Sequence, residues 1–216
     1  MHWIYYAARI VTGTILLLLT RWQVTGQENV PKDGPLLIVS NHLSLADPLI
    51  LGASFKRKLI FMAKEELFQT KLSSYFIRNL GAFPVKRGGF NRKTITEAAD
   101  CLKKGMALVV FPEGQRSRDY QLQPAFPGSA LLASRLGVPI LPVGMTGTEA
   151  IKGLGWCLRR PRIKINIGPV FSPPQQQKLD RAKLLQCTNE IMEHIAALLP
   201  TAYRGIYNGK AGKNEN

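Results

Sequence analysis

The sequence predicts an α/β fold with a central mixed, mostly parallel sheet, helices on both faces and an N-terminal membrane-associating helix. Three observations lead to this prediction. Short apolar runs bounded by turn residues alternate with segments of helical spacing. The 216 residues include 19 glycines and 14 prolines, which suits many strand-to-helix turns. Residues 3–20 are almost wholly apolar or aromatic, and Arg9 is their only charged side chain.

Strands and helices alternate along the chain in the order that such a fold requires. Apolar runs predict strands at residues 36–40, 59–63, 82–85, 106–111, 140–144 and 163–167. Apolar positions at helical spacing predict helices at residues 48–54, 66–80, 91–104, 128–136 and 177–199. Pro142 interrupts one strand, so we expect that strand at an edge of the sheet or at a bulge.

Composition divides the chain into three regions. Residues 1–24 are predicted to be an N-terminal membrane-associating helical segment, and residues 25–200 to be one folded domain. Residues 201–216 are polar and rich in Gly, Lys and Asn towards their end, so they are predicted to be a flexible tail.

The apolar N-terminal segment is short for a membrane crossing. Its uninterrupted part, residues 10–19, would form a helix of about 15 Å, half of a hydrocarbon core of about 30 Å. A basic start and a small-x-small cleavage site are both missing, which argues against a signal peptide. We expect a monotopic or shallowly inserted helix with aromatic side chains near the lipid headgroups. The alternative is a core helix of a soluble domain.

The formal net charge of +15 predicts a polyanionic partner, which is nucleic acid, an anionic membrane surface or a phosphorylated substrate. The sequence contains no zinc-finger or RNA-recognition motif, so nucleic acid is not expected. Its three cysteines are scattered and form no Cys-x-x-Cys, so neither a disulfide framework nor a metal site is indicated. We therefore expect the protein on an anionic membrane surface that faces the cytosol.

His42 and Asp47 stand five positions apart, directly after the predicted strand at residues 36–40. Open α/β sheets place their sites at this end of a strand. Asp47-Pro48 is typical of a helix start, with Asp at the N-cap. On one unbroken helix the two side chains would point about 140° apart. A strand, a turn and a helix instead allow the carboxylate to fold back onto the imidazole.

Such a pair can act as a general base. A neutral imidazole takes a proton from an alcohol, and a carboxylate on its other nitrogen fixes the tautomer. No Gly-x-Ser-x-Gly elbow occurs, so we expect the substrate to supply the hydroxyl, with no acyl-enzyme at Ser44. The alternative is that Asp47 only caps a helix and His42 is an ordinary loop histidine. His2 and His194 are not expected to be catalytic.

Four segments, taken together and in this order, resemble the glycerolipid acyltransferase family, specifically the bacterial 1-acyl-sn-glycerol-3-phosphate acyltransferases. They cover about half of the chain, residues 41–144. The third departs from the family's pattern at Gln115, where the family has threonine. The segments are His42-x-x-x-x-Asp47, Gly81-Ala82-Phe83-Pro84-Val85-Lys86-Arg87, Phe111-Pro112-Glu113-Gly114-Gln115-Arg116-Ser117 and Val138-Pro139-Ile140-Leu141-Pro142-Val143-Gly144.

The resemblance implies an acyl transfer from acyl-CoA or acyl-carrier protein to a lysophospholipid, without a metal or a bound cofactor. It implies His42 as general base and Asp47 as its orienting partner. Lys86, Arg87 and Arg116 would bind the phosphate of the acceptor.

The resemblance leaves several roles open. Glu113 would either hold Arg116 or hydrogen-bond the glycerol hydroxyl, and an ordinary surface ion pair is the alternative. Gly114 would permit a turn or a close approach of the substrate. Lys86 and Arg87 would otherwise be a solvated basic loop. Residues 139–144 would either line the acyl chain or form a purely structural strand. Another lysophospholipid or a lyso-aminolipid is an alternative acceptor, and a non-catalytic membrane-binding protein is an alternative of another class.

Overall fold

The structure is a computed structural model that describes residues 3–85, 92–153, 155–173 and 180–209. The strands are β1 (Arg21–Thr25), β2 (Leu36–Ser40), β3 (Leu59–Lys64), β4 (Ala82–Val85), β5 (Ala107–Val110), β6 (Ile140–Thr146) and β7 (Arg162–Ile167). The α-helices are α1 (Trp3–Leu19), α2 (Asp47–Ser54), α3 (Lys71–Asn79), α4 (Arg92–Lys103), α5 (Gly128–Leu136), α6 (Trp156–Arg159) and α7 (Arg181–Ala197). Short 3-10 helices lie at Gln27–Asn29, Glu65–Phe68, Thr148–Ala150, Thr201–Tyr203 and Gly205–Tyr207.

The seven strands form one sheet in the order β1-β7-β6-β2-β5-β3-β4. Neighbouring strands are parallel except for β6 and β7, which are antiparallel. The predicted mixed, mostly parallel sheet is therefore confirmed. Because β2 lies beside β5, the loops that follow these two strands leave the sheet side by side.

Both faces of the sheet are covered, as the alternation of apolar elements predicts. Side chains of successive residues in a strand point to opposite faces, so Leu36 and Ile38 pack on one side of β2 and Leu37 and Val39 on the other. One core contains residues of α1 and α2. The other contains residues of α4, α5 and α7. Because both faces of β2 are covered, all its residues are buried, and its sequence up to Ser40 is a run of apolar residues instead of an alternating pattern.

The N-terminal helix α1 packs on the domain through one side only. Ile4, Tyr5 and Leu16 are buried, and the hydroxyl of Tyr5 accepts a hydrogen bond from the backbone N–H of Leu59 (3.0 Å). Among the described residues, no helix combines the length and the apolar character that a membrane crossing requires.

The proline-interrupted strand was expected at an edge or at a bulge. The edge is wrong, because β6 lies between β7 and β2 and all its residues are buried. Beyond Pro142 the pairing continues with an offset of one residue, from Val143 with Ile167 to Ile140 with Phe171, as at a bulge. Pro142 is tolerated inside the sheet because it stands where the ladder with β7 ends. The last antiparallel pair is Val143 with Ile167, and the carbonyl of Pro142 accepts from Gly168 N–H just beyond that pair (2.9 Å). The proline therefore makes one hydrogen bond at this position instead of two, and pairing resumes at Ile140 and Phe171, which exchange two backbone hydrogen bonds (2.8 and 3.0 Å).

The structure also differs from the predicted boundaries at both ends of the domain. Residues 21–25, which the sequence analysis left outside a strand, form β1 and pair in parallel with β7. Two 3-10 turns lie within the predicted flexible tail, where Tyr207 is buried in the core beside α7. The tail prediction is wrong for residues 201–207, because one buried aromatic side chain anchors an otherwise polar stretch. Residues 210–216 lie outside the described residues.

Candidate active site

The site lies in the loop between β2 and α2, at the carboxyl end of the central strand. Asn41 opens this loop and is buried. Its side-chain amide donates to the carbonyl of Met145 (2.9 Å), and its side-chain oxygen accepts from the N–H of the same residue (2.8 Å). This pair of hydrogen bonds fastens the loop to β6, so His42 leaves the sheet from a fixed point.

His42 and Asp47 meet as predicted from their spacing. The Nδ1 of His42 lies 2.7 Å from the Oδ2 of Asp47. The carboxylate is fully buried, whereas 16% of the histidine side chain is exposed. The same oxygen accepts from the backbone N–H groups of Leu43 (2.7 Å) and Ser44 (2.8 Å). With its acceptor on the Nδ1 side, the imidazole carries its proton there and leaves Nε2 free to take another.

Asp47 does not serve as the helix cap that the sequence suggested. The N-cap position of α2 is Ala46, and no side chain caps the helix. The carboxylate bonds back to amides that precede the helix instead of to those of its first turn. The structure therefore favours an orienting role over the helix-cap alternative.

The loop after β5 closes over the histidine from the neighbouring strand. The rings of Phe111 and His42 are stacked, with centroids 4.1 Å apart and an angle of 16° between their planes. The N–H of Ser117 donates to the carbonyl of His42 (2.8 Å). The ring is thus held on its face by Phe111 and at one edge by Asp47.

Glu113 lies inside this arrangement rather than facing a substrate, since only 2% of its surface is exposed. Its Oε1 accepts from the backbone N–H of His42 (3.2 Å), and its Oε2 accepts from that of Gln123 (3.0 Å). Glu113 therefore bonds two backbone N–H groups and not Arg116, which was one of its two predicted partners, and its contact to the glycerol hydroxyl stays a prediction. Glu113 joins the backbone of His42 to that of Gln123.

Burial also shifts the acid–base behaviour of Glu113. Desolvation raises the pKa of its carboxyl to about 7, although the hydrogen bonds from Gln123 and His42 act in the opposite direction. The nearby charges of Asp119 and Asp47 add to the increase in pKa. Near neutral pH the group is therefore close to half protonated.

Gly114 and Arg116 are exposed on the same loop. Gly114 has φ of +67°, and a Cβ at this position would lie 3.0 Å from ring atoms of Phe126. The positive φ and the nearby ring both explain why glycine stands here. Arg116 directly precedes Ser117, whose backbone N–H donates to the carbonyl of His42. Arg116 therefore lies at the same end of the strands as the histidine. Lys86 and Arg87, the other predicted phosphate ligands, lie outside the described residues.

Three supporting residues were missed by sequence reasoning: Asn41, Phe111 and Gln123. Asn41 directly precedes the His42 motif, and Phe111 is the first residue of the Phe-Pro-Glu-Gly segment, so both were close to residues that the sequence singled out. Gln123 had no signal, since its contribution is a backbone N–H. Within the part of the chain that the structure describes, no group of three or more His, Cys, Asp or Glu side chains is placed to hold a metal ion.

The buried Glu113 generates a pH prediction. Between pH about 4.5 and about 7 the folded protein holds a proton on this carboxyl that the unfolded chain has lost. The free energy of unfolding should therefore fall as pH rises across this range, by up to about 3 kcal/mol from this group. Glu113→Gln should remove this dependence and cost about 1–3 kcal/mol at the acidic end, because its NH₂ would face a backbone donor. Urea unfolding at several pH values measures both effects.

Glu65→Gln removes an exposed carboxyl and is the matched control. A difference between wild type and Glu113→Gln that stays constant from pH 4.5 to 7 would show that the buried carboxyl does not titrate in this range.

Comparisons with known proteins show the family of the chain. Residues 21–146 match the family model described as Acyltransferase. A 1-acyl-sn-glycerol-3-phosphate acyltransferase of Streptococcus pneumoniae is 31% identical over 90% of this chain and 70% of its own length. A lyso-ornithine lipid O-acyltransferase of Pseudomonas aeruginosa is 30% identical over 69% of this chain and 63% of its own length.

A solved structure shares the fold. The crystal structure of the 1-acyl-sn-glycerophosphate (LPA) acyltransferase PlsC from Thermotoga maritima superposes with a TM-score of 0.64 at 27% identity. The match covers 86% of this chain and 78% of that protein. The family match includes the loops that carry His42, Asp47 and Glu113. This chain belongs to the acyltransferase family.

Proposed function

We propose that this protein transfers an acyl group from an acyl thioester to the free hydroxyl of 1-acyl-glycerol-3-phosphate and so forms phosphatidic acid. The observation that carries the proposal is the 2.7 Å contact between His42 Nδ1 and a fully buried Asp47 carboxylate. The relatives named 1-acyl-sn-glycerol-3-phosphate acyltransferase supply the acceptor. The donor is acyl-CoA or acyl-carrier protein.

In this reaction His42 acts as general base through Nε2. It takes the proton of the acceptor hydroxyl as the oxygen attacks the thioester carbonyl. The tetrahedral intermediate then expels the thiolate, which receives the same proton, so an ester and a free thiol result. Asp47 stabilises the imidazolium and does not itself need to be protonated. No covalent acyl-enzyme is required.

Recognition of the acceptor phosphate is assigned to Arg116 together with Lys86 and Arg87. A guanidinium offers two parallel N–H donors that match a phosphate monoester. Support for Arg116 comes from its exposure on the loop that is bonded to His42 through Ser117. The two residues of the β4 loop enter the proposal on the sequence resemblance alone.

An apolar cavity supports a lipid substrate. It has a volume of about 170 Å³ and lies between α1, α2, β3 and α3. Pro48 and Leu49, which follow Asp47 directly, form part of its wall. An acyl chain seated there would bring its head towards the His42 loop. Residues 139–144, the other proposed acyl wall, contribute no residue to this cavity, and residues 140–144 lie within the buried strand β6.

A lyso-aminolipid is the second candidate acceptor, and one relative favours it, the lyso-ornithine lipid O-acyltransferase. The same base would serve, because a hydroxyl is acylated in both cases. A lyso-aminolipid without phosphate gives Arg116 no phosphate to bind. A non-catalytic membrane protein, the third alternative, leaves the intact pair of His42 and Asp47 without a role.

We also propose that the protein lies on the cytoplasmic face of the inner membrane, held by α1. The outer side of this helix exposes large apolar residues, with Ile10, Leu17 and Leu18 each about two-thirds exposed. Such a surface on a protein of net charge +15 suits an anionic bilayer. Because its inner side is part of the core, α1 would lie in the interface rather than detach from the domain.

The general base is tested by two substitutions at the pair. His42→Ala should lower kcat/KM by about 10²–10⁴-fold, because the imidazole that takes the proton is removed. Asp47→Asn should also be strongly impaired, because the amide no longer fixes the tautomer. Thiol release from an acyl-CoA in the presence of lysophosphatidic acid measures turnover. Ser44→Ala is the control and should keep near-normal activity. Full turnover in His42→Ala, or its loss in Ser44→Ala alone, would reject the assignment.

Arg116→Ala tests the phosphate site. We expect the KM for lysophosphatidic acid to rise about 10- to 100-fold, as for a lost hydrogen bond to a charged group, with little change in the KM for the donor. Arg135→Ala removes an exposed arginine from α5 and serves as the control for net charge. Equal effects of Arg116→Ala on both KM values would show that this side chain does not select the acceptor.

The membrane role of α1 is tested without deleting it, since deletion would also expose the core around Tyr5 and Leu16. The triple variant Ile10→Ser, Leu17→Ser and Leu18→Ser should shift at least about tenfold more protein from vesicles to the soluble fraction, because three apolar side chains lose their lipid contact. Sedimentation with lipid vesicles gives the ratio. The control replaces three exposed apolar residues elsewhere, Leu158, Leu185 and Ile206, by serine. Equal sedimentation of the two triple variants would contradict the role of α1.

A further inference from the structure

A second cavity lies at the opposite end of the parallel strands from His42. It has a volume of about 640 Å³, within the range of small-molecule sites. Its walls come from the segments that lead into β2, β3, β4 and β5, so it faces the amino ends of these strands. His42 and the loop at residues 111–117 leave the carboxyl ends of β2 and β5. The acyl-transfer mechanism therefore makes no use of this cavity.

Basic side chains dominate its polar lining, with Lys32, Arg57, Lys58 and Arg78 against the single acid Asp33. Most of the remaining lining is apolar, including Ile60, Phe83 and Met106. A cavity that combines excess positive charge with apolar walls matches a ligand with an anionic head and an apolar body.

Arg57 builds the cavity rather than binding a ligand. Its guanidinium donates to the carbonyls of Pro31 (3.0 Å), Gly34 (2.7 Å) and Gly105 (3.2 Å). It thereby joins the turns that precede β2 and β5, and the negative charge of Asp33 acts on it. The three other cations remain for a ligand.

Lys58 is the most informative of these three. Its ammonium lies 5.6 Å from the centre of the Tyr5 ring. Burial lowers the pKa of this amine. A partly desolvated cation of this kind is stabilised when an anion enters the cavity and forms a hydrogen bond with it. Arg78 stands across from it in the last turn of α3, exposed and beside the ring of Phe68.

The helices beside the cavity indicate what carries the anion. Tyr5 belongs to α1, whose neighbouring residues Trp3 and Tyr6 are more than half exposed. Helix α3, which contributes Arg78, exposes Leu72, Tyr75 and Phe76. Exposed apolar and aromatic side chains on both helices are typical of an interface with lipid. Acyl tails could lie along these helices while a headgroup occupies the cavity.

We propose that this cavity binds the phosphate head of an anionic phospholipid, through Lys58, Arg78 and Lys32, at a site separate from the acyl-transfer centre. The proposal rests on the membrane position of α1 proposed above, and it does not depend on the identity of the acceptor. Its consequence is that the protein prefers anionic over neutral bilayers through one defined site as well as through its overall charge.

Vesicle binding tests the site against overall charge. The variant Lys58→Gln with Arg78→Gln should bind phosphatidylcholine vesicles that contain phosphatidylglycerol about tenfold more weakly than wild type. The control Lys93→Gln with Lys183→Gln removes the same charge from exposed positions of α4 and α7 and should lose at most about twofold. Binding to pure phosphatidylcholine should be the same for all three proteins. Equal losses in the two double variants would overturn the proposal.

Cys101 gives a direct readout of occupancy, because this half-buried thiol lines the cavity. A soluble short-chain phosphatidic acid should slow maleimide labelling of Cys101 in wild type but not in Lys58→Gln with Arg78→Gln. The matching phosphatidylcholine should not slow it. Labelling of Cys157, followed by peptide mass spectrometry, is the internal reference.

Two other outcomes of the labelling experiment would contradict the proposed lipid site. Protection of Cys101 by glycerol 3-phosphate alone, at the same concentration, would identify a free phosphate ligand and reject the lipid. Equal protection by phosphatidylcholine would reject a role for the anionic head. Because Lys58 and Arg78 lie apart from His42, acyl transfer to a soluble acceptor should be unchanged in this variant, which separates failure here from failure of the proposed reaction.

Discussion

The hydrogen bond between His42 and Asp47 is the interaction on which the site depends. One carboxylate oxygen receives the imidazole and two backbone N–H groups, so a buried negative charge is stabilised by three donors. This arrangement fixes the loop and the tautomer together. The surrounding contacts reinforce it: Asn41 fastens the loop to β6, Phe111 covers the ring and Glu113 holds the backbone of His42.

The sequence contained the parts of this site but not all the contacts between them. Local patterns placed His42 and the segment at residues 111–117 after two strands, and the spacing of His42 and Asp47 predicted their contact. That the two loops touch depends on β2 being next to β5, which long-range crossover connections determine and local periodicity does not encode.

The errors have physical causes at particular residues. Glu113 was expected to hold Arg116 or to contact the acceptor hydroxyl, but it is buried, and two backbone N–H groups donate to it and offset the cost of burying the carboxyl. Pro142 was expected at an edge or at a bulge, and it lies in a central strand, at the point where the regular ladder with β7 ends and the pairing shifts by one residue. Tyr207 lies in a polar stretch that gave no sign of a core contact, and its burial shows only in three dimensions.

Charge and apolar surface are distributed unevenly around the sheet. The apolar outer side of α1 and the exposed residues of α3 lie next to the basic cavity, whereas the catalytic pair occupies the other end of the strands. On this account the membrane is contacted along a side of the domain, and lipid can approach the His42 loop without leaving the interface. The +15 charge then serves to hold the protein on an anionic bilayer and to attract a phosphorylated acceptor.

The state of the His42 ring is the most direct test of the account. Nitrogen NMR on protein with labelled histidine, with His42 assigned among the three histidines by comparison with His42→Ala, reports which ring nitrogen carries the proton. The account predicts, for the neutral imidazole, a hydrogen-bonded proton on Nδ1 and a bare Nε2, and it predicts that Asp47→Asn disturbs this state. A neutral ring in wild type with its proton on Nε2 would contradict the assignment of His42 as the base.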